Sequence, residues 1–219
     1  MPDDRLARPR TAEGRAKKKS LYARERLDPE VAALRRDWVA RTADIDPDRF
    51  VFLDESHAKT TMTRTYGRAP RGERVVDHVP AGRYHSTTML GAVRLDGTVA
   101  AMVYEGGTDV PVMEAFTEAE LRRIVRPGDI VVMDNLSAHK DPGVIAAIER
   151  LGASVWHLPP YSPDFNPIEQ MWSKVKAILR SLKARTAEAL LDAIGVALRA
   201  VTATDAQGWF AHCGYRKAE

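Results

Sequence analysis

Two short apolar runs, FVFL at 50–53 and IVVM at 130–133, are each followed at once by an aspartate, Asp54 and Asp134. Four consecutive apolar residues leave no polar face, so each run suits a central strand covered on both sides of a sheet. If the two strands are parallel neighbours, both carboxylates emerge at one edge, where open α/β sheets place their ligands. A lone aspartate after a strand is commonly a turn or cap residue. Two after matched strands weigh more towards a site.

The rest of the chain alternates around these runs. HSTTMLGAVRLDGTVAAMVYEG (85–106) reads as a β-hairpin turning at Asp96–Gly97. Residues 111–125 and 142–152 read as helices, the second closed by Gly152, and 154–158 as a short strand. Two more helices are expected at 167–183 and 186–201. Ahead of the sheet, Asp28 is placed to cap a helix with Pro29 in its first turn and Val31, Leu34 and Trp38 at helical spacing. Pro47 ends that preamble. The stretch 57–84, rich in Arg, Gly, Pro and Thr, is an insertion between the first two strands, either a hairpin or an extended arm. This order predicts an α/β domain with a mixed sheet flanked by helices. The expected divisions are a flexible basic arm at 1–27, a helical lead-in at 28–49 and the main domain at 50–219.

A third acid has two readings. In NPIEQMW, Asn166 suits the N-cap, Pro167 the first turn and Glu169 the third position of a capping box, a purely structural role. Yet Ile168, Met171, Trp172, Val175, Ile178, Leu179 and Leu182 fill one helical face, while Glu169, Ser173, Lys176 and Arg180 align on another. A carboxylate followed by cations suits a metal site running into a phosphate track, and an ordinary solvated face has the same pattern. Three converging acids without Cys or His favour Mg²⁺, with Mn²⁺ able to replace it. Two such ions ~4 Å apart activate an attacking oxygen and stabilise a leaving one in phosphodiester chemistry.

Composition removes several rivals. Hydrophobic residues at 44% and charged residues at 29% describe a globular chain, and no apolar run approaches the ~20 residues of a membrane helix. The N-terminus has no apolar stretch behind its charges, so it is not a secretory signal. The single cysteine, Cys213, excludes an internal disulfide and suits a reducing compartment. The six histidines show no HExxH spacing, and GxSxG, P-loop and GxGxxG motifs are all missing. Residues 1–26 hold nine Lys or Arg against four Asp or Glu, leaving 24 against 26 for the remainder. A basic arm on a near-neutral body suits a polyanionic partner, although a solvated tail has the same composition.

FLDES (52–56), TYGRAPRGERV (65–75), MDNLSAHK (133–140) and above all LPPYSPDFNPIEQMWSKVK (158–176) resemble the DDE transposases of the mariner superfamily, in its bacterial insertion-sequence branch. The resemblance runs from about Lys17 to the C-terminus, and the 34 residues between Asp134 and Glu169 are typical of the group. It implies an RNase H-like fold, with a mixed five-stranded sheet and helices on both faces. It implies that Asp54, Asp134 and Glu169 hold two Mg²⁺ ions, at which water frees a 3′-hydroxyl at the transposon end and that hydroxyl attacks target DNA, commonly at TA. Under it, a capping Glu169 and a metal-binding Glu169 can be one residue. Asn135 and His139 match its DN…H pattern, with roles in orienting a ligand, touching DNA or local packing. Asn166, with Tyr161 and Asp164, shapes the turn before Glu169. Arg64, Arg68, Arg71, Lys140, Lys174 and Lys176 are the candidate phosphate contacts. A homodimer on double-stranded DNA and a place in the bacterial cytoplasm, at the nucleoid, are further expectations from the family.

One departure stands out. Family members carry helix-turn-helix modules ahead of the catalytic domain, and the 49 residues before FVFLD are too few for two of them. A frameshifted half, a truncated copy or an excised piece each accounts for that, and weak, unselective DNA binding is expected of the chain alone. Two rival functions remain: an RNase H-like nuclease (a resolvase or ribonuclease), and a non-catalytic DNA-binding remnant. The proline-rich block speaks against the first, and the presence of all three acids against the second.

Overall fold

The computed structural model describes residues 22–216, so most of the basic arm expected at 1–27 lies outside them. Helix α1 (Pro29–Thr42) begins as expected, with the Asp28 side chain accepting the Glu30 N–H and Pro29 in the first turn. Five strands follow: β1 (Phe50–Lys59), β2 (Ser86–Arg94), β3 (Val99–Tyr104), β4 (Ile130–Met133) and β5 (Ser154–His157). They form one sheet in the order β3-β2-β1-β4-β5. Strands β1, β2 and β3 are antiparallel in succession, while β4 and β5 run parallel to β1. The condition attached to the two apolar runs is therefore met: Phe50, Val51 and Phe52 pair in parallel with Ile130, Val131 and Val132.

Alternation sends successive residues of these strands to opposite faces. Phe50 and Phe52 enter a core with Trp172, Phe210 and Tyr215, covered by α1, α4 (Pro167–Leu182), α5 (Ala187–Arg199) and α6 (Ala203–His212). Val51 and Leu53 face Met113, Phe116 and Ile148, beneath α2 (Val110–Ala119) and α3 (Pro142–Glu149). Helices thus cover both faces.

Several elements differ from the sequence reading. Strand β1 does not stop at Asp54 but continues to Lys59, because Glu55–Lys59 keep an antiparallel partner in β2 after β4 has ended. Helix α2 ends at Ala119, and a 3-10 turn at Leu121–Arg123 tightens the chain so that Leu121 is buried. Leu182, expected on the apolar face of α4, is 48% exposed because the helix ends there and the chain turns through Lys183 at positive φ. Helix α6 is an element the periodicity did not disclose. Thr202 and Asp205 begin it with a reciprocal capping box. The hairpin turn presses against that same start. Gly97 has φ +83, and an added Cβ would lie 2.7 Å from the Ala203 nitrogen.

The insertion between β1 and β2 has no helix or strand between 60 and 85, yet it doubles back on itself: Thr63 Oγ1 donates to Asp77 Oδ2 at 3.0 Å, and the Glu73 N–H closes a turn on Pro70 O at 3.1 Å. Its root is closed by Thr60 N–H donating to His85 O at 3.1 Å. Asp77 ties it to α4 by accepting from Lys183 Nζ at 2.6 Å. Among the described residues, no helix is long and apolar enough to cross a membrane.

Candidate metal centre

Alternation carries Asp54 to the face of Phe50 and Phe52, and Asp134 to the face of Ile130 and Val132. Helix α4 covers that face and presents Glu169 in its first turn. All three acids line one cleft of about 610 Å³ with Tyr161, Pro163 and Asn166. Gly91, which pairs with Asp54 across the ladder, lets α4 come this close. A Cβ there would stand 2.8 Å from the Trp172 ring.

The electrostatics are those of like charges forced together. Asp54 is only 8% exposed. Burial pushes its carboxyl up to about 7, Glu169, Glu55 and Asp134 push the same way, and one N–H from Glu55 opposes them. Glu169 is raised too, by burial and by Asp134, against the pull of Lys176. Asp134 moves oppositely. Burial alone would raise it, but His139 Nδ1 at 2.7 Å and the Leu136 N–H at 2.9 Å hold it below its ordinary value. Burial would likewise keep His139 neutral, yet Asp134 and Glu55 raise it to about 9, so it is an imidazolium at neutral pH. Being wholly buried, His139 offers no surface to DNA and acts on Asp134 instead.

Asn166 departs from its expected role. It makes no cap bond to α4, and instead donates Nδ2 to Asp54 Oδ2 at 3.0 Å. The capping box is therefore absent, and the Asn166 N–H goes to Pro163 O. The side chain is turned so that its NH₂ meets the buried Asp54 carboxylate, which leaves Oδ1 without a partner and no acceptor over the helix N–H groups. Asn135 donates to Leu158 O at 2.7 Å, tying the loops after β4 and β5 together.

The candidate phosphate contacts are dispersed. Arg64, Arg68 and Arg71 lie on the exposed arm, and Lys140 is exposed at the end of a 3-10 turn. Lys176 is half-buried on the Glu169 face. Lys174 is engaged by Asp205 of α6 in an ion pair. Glu55 was overlooked, although it follows Asp54 directly in FLDES. It lines the cleft, and its Oε2 lies 3.5 Å from His139 Nε2, an ion-pair distance rather than a hydrogen bond.

Among the described residues, no three His, Cys, Asp or Glu side chains stand close enough to enclose a single ion. The donor set nevertheless fits hard divalent cations. It is all oxygen, its like charges share one cleft, and the Asn166 Oδ1 is buried without a partner.

A mixed five-stranded sheet, with acids from its two central parallel strands and from the helix across them, defines the RNase H-like architecture. Solved structures bear this out. The Mos1 transposase paired-end complex with its left transposon end superposes with a TM-score of 0.72 at 15% identity, covering 91% of this chain and 64% of that one. The Mos1 mariner paired-end complex with Mn gives 0.70 at 16% identity, with 91% and 64% covered. The catalytic domain of Mos1 mariner transposase gives 0.58 at 14% identity, with 90% and 91% covered. The likeness is one of fold, and the chain spans 64% of the transposase in the first complex. No curated protein matches the sequence. The family profile of the DDE superfamily endonucleases matches residues 49–191, and the chain belongs to that family.

Proposed function

We propose that this chain is the catalytic domain of a mariner-superfamily transposase of the bacterial insertion-sequence branch, which cleaves DNA at transposon ends and joins the freed 3′-hydroxyl to target DNA. The observation that carries the reading is the meeting of Asp54, Asp134 and Glu169, from three separate elements, in one cleft of a DDE-family fold. These three residues would hold two Mg²⁺ ions, or Mn²⁺ in their place, and Mos1 complexes have been solved with each metal. Bound there, the cations would supply Lewis acidity at the scissile phosphate and lower the pKa of an attacking water or hydroxyl.

The protein's own part is to shape and charge the cleft. Asn166 orients the Asp54 carboxylate, and His139 fixes Asp134 through Nδ1 while Glu55 steadies the imidazolium from its far side. The prolines of the 158–167 loop limit its freedom on approach to Glu169. Arg64, Arg68, Arg71, Lys140 and Lys176 would be the cations that meet phosphates, and such contacts position DNA without reading its sequence. Partners on this reading are transposon-end DNA, a target such as TA, a second copy of the chain and helix-turn-helix modules supplied upstream. On this reading the catalytic domain is 50–219, with the helical lead-in at 28–49 ahead of it.

The test is nicking of supercoiled plasmid in Mg²⁺. Asp134→Asn is expected to lower the rate by at least ~10²-fold with an unchanged circular dichroism spectrum. Nicking at the wild-type rate, or a preference for RNA–DNA hybrid over DNA, would overturn the reading.

A further inference from the structure

The loop that delivers Glu169 is gripped from outside the family-matched region. Arg26 donates Nε to Tyr161 O at 2.7 Å and pairs with Asp164. Arg35, on α1, donates Nη1 to Ser162 Oγ at 2.6 Å and Nη2 to Asp164 Oδ2 at 2.7 Å, and its guanidinium lies 4.2 Å from the centre of the Phe165 ring. A third tie is indirect: Trp38 Nε1 donates to the Tyr215 hydroxyl at 3.0 Å, and that hydroxyl donates to Phe165 O at 2.8 Å. The family match spans 49–191, so Arg26, Arg35, Trp38 and Tyr215 all fall beyond it.

All three ties end on residues 161–165, immediately before Asn166, which holds Asp54, and three residues further on stands Glu169. The loop needs holding. Tyr161 sits at φ +56, unfavourable for a side-chain-bearing residue, and the residue is 51% exposed at the cleft. Ser162 behind it is buried and donates to Pro160 O at 2.9 Å. Planar guanidinium forks can fix such a turn in orientation as well as position, which a point charge cannot.

We infer that Arg26 and Arg35 are positioning residues for the metal centre: the lead-in segment clamps the 161–165 loop and thereby sets Asn166 and Glu169 against Asp54. This rests on the proposed function for its metal part, while the clamp itself is measurable without metal.

Two measurements on the full chain decide it. Hydrogen exchange in metal-free protein should show the Phe165, Asn166 and Glu169 amides exchanging at least ~10-fold faster in Arg35→Ala, with β4 amides unchanged. Equal loop protection overturns the clamp, and faster exchange throughout the sheet shows unfolding and overturns it too. The second measurement is Mn²⁺ affinity from the ion's electron paramagnetic resonance signal. Arg35→Ala should weaken binding ~10-fold, Arg35→Lys should fail to restore it, and in a Glu169→Gln background Arg35→Ala should add less than ~2-fold. Full restoration by lysine, or the same ~10-fold loss without Glu169, overturns positioning through Glu169. Wild-type Mn²⁺ binding that ignores Asp54→Asn would instead sink the metal reading and the metal part of this inference with it, leaving the exchange rates to judge the clamp.

Discussion

Replacing Asp54 with asparagine should stabilise the metal-free protein. The Asp54 carboxyl is raised from 3.8 to about 7 by burial and by its acidic neighbours. A shift of about three units corresponds to roughly 4 kcal/mol against the ionised folded state, as an order of magnitude. The sign follows from linkage: an acid with a raised folded pKa destabilises progressively as pH climbs from about 4 to about 7, and the penalty is complete above that. Asparagine removes the charge and keeps the shape. Its amide oxygen can still accept the Glu55 N–H, now at 2.8 Å, and its NH₂ can reach the unpartnered Asn166 Oδ1 if that amide turns over. Allowing for imperfect repacking, Asp54→Asn should gain about 2–4 kcal/mol at pH 8 in EDTA, or about 5–12 °C in Tm for a protein of this size. Thermal unfolding at pH 4, 5, 6, 7 and 8 should show the two proteins nearly equal at pH 4, diverging through pH 7 and running parallel above it. Millimolar Mg²⁺ should then stabilise the wild type and leave the variant unmoved. A variant no more stable than wild type at pH 8, or a gap that ignores pH, would refute the argument.

On the proposed function Asp54 would have to lose its proton to hold a cation, so Mn²⁺ affinity measured by titration calorimetry should fall about tenfold per unit as pH drops from 7 to 5; constant affinity across that range contradicts it. Gly91→Ala drives a methyl group into the Trp172 ring and should cost about 1–3 kcal/mol in urea unfolding, with slower nicking as α4 shifts; unchanged stability and rate would show that α4 does not depend on that approach.

Much of this centre was legible along the chain because its main signals are local. An apolar run followed by Asp is visible within five residues and marks a covered strand, whereas the parallel pairing of the two runs is shown only by the sheet. The extent of β1 was not legible. Glu55–Lys59 has no strand-like apolar character, and its pairing with Ser86–Leu90 is made across a 26-residue excursion. Helix α6 carried its own signal in Thr202-x-x-Asp205, but its middle residues, Gln207 and Gly208, blur the apolar period. Asn166 misled because its local context matched a cap, and only the fold brings a buried carboxylate within its reach. Arg26 and Arg35 sit in a charged, solvent-like stretch, and their partners lie more than 125 positions away.

Lys59 pairs with Ser86, and beyond them the Thr60–His85 hydrogen bond seals the base of the arm. The ladder thus closes before the excursion begins, and the entropy of closing a loop grows only with the logarithm of its length. Residues can be added to or removed from this excursion at little energetic penalty and without moving Asp54. The excursion can therefore vary in length and content while the strand pair beneath it, and with it Asp54, keeps its register.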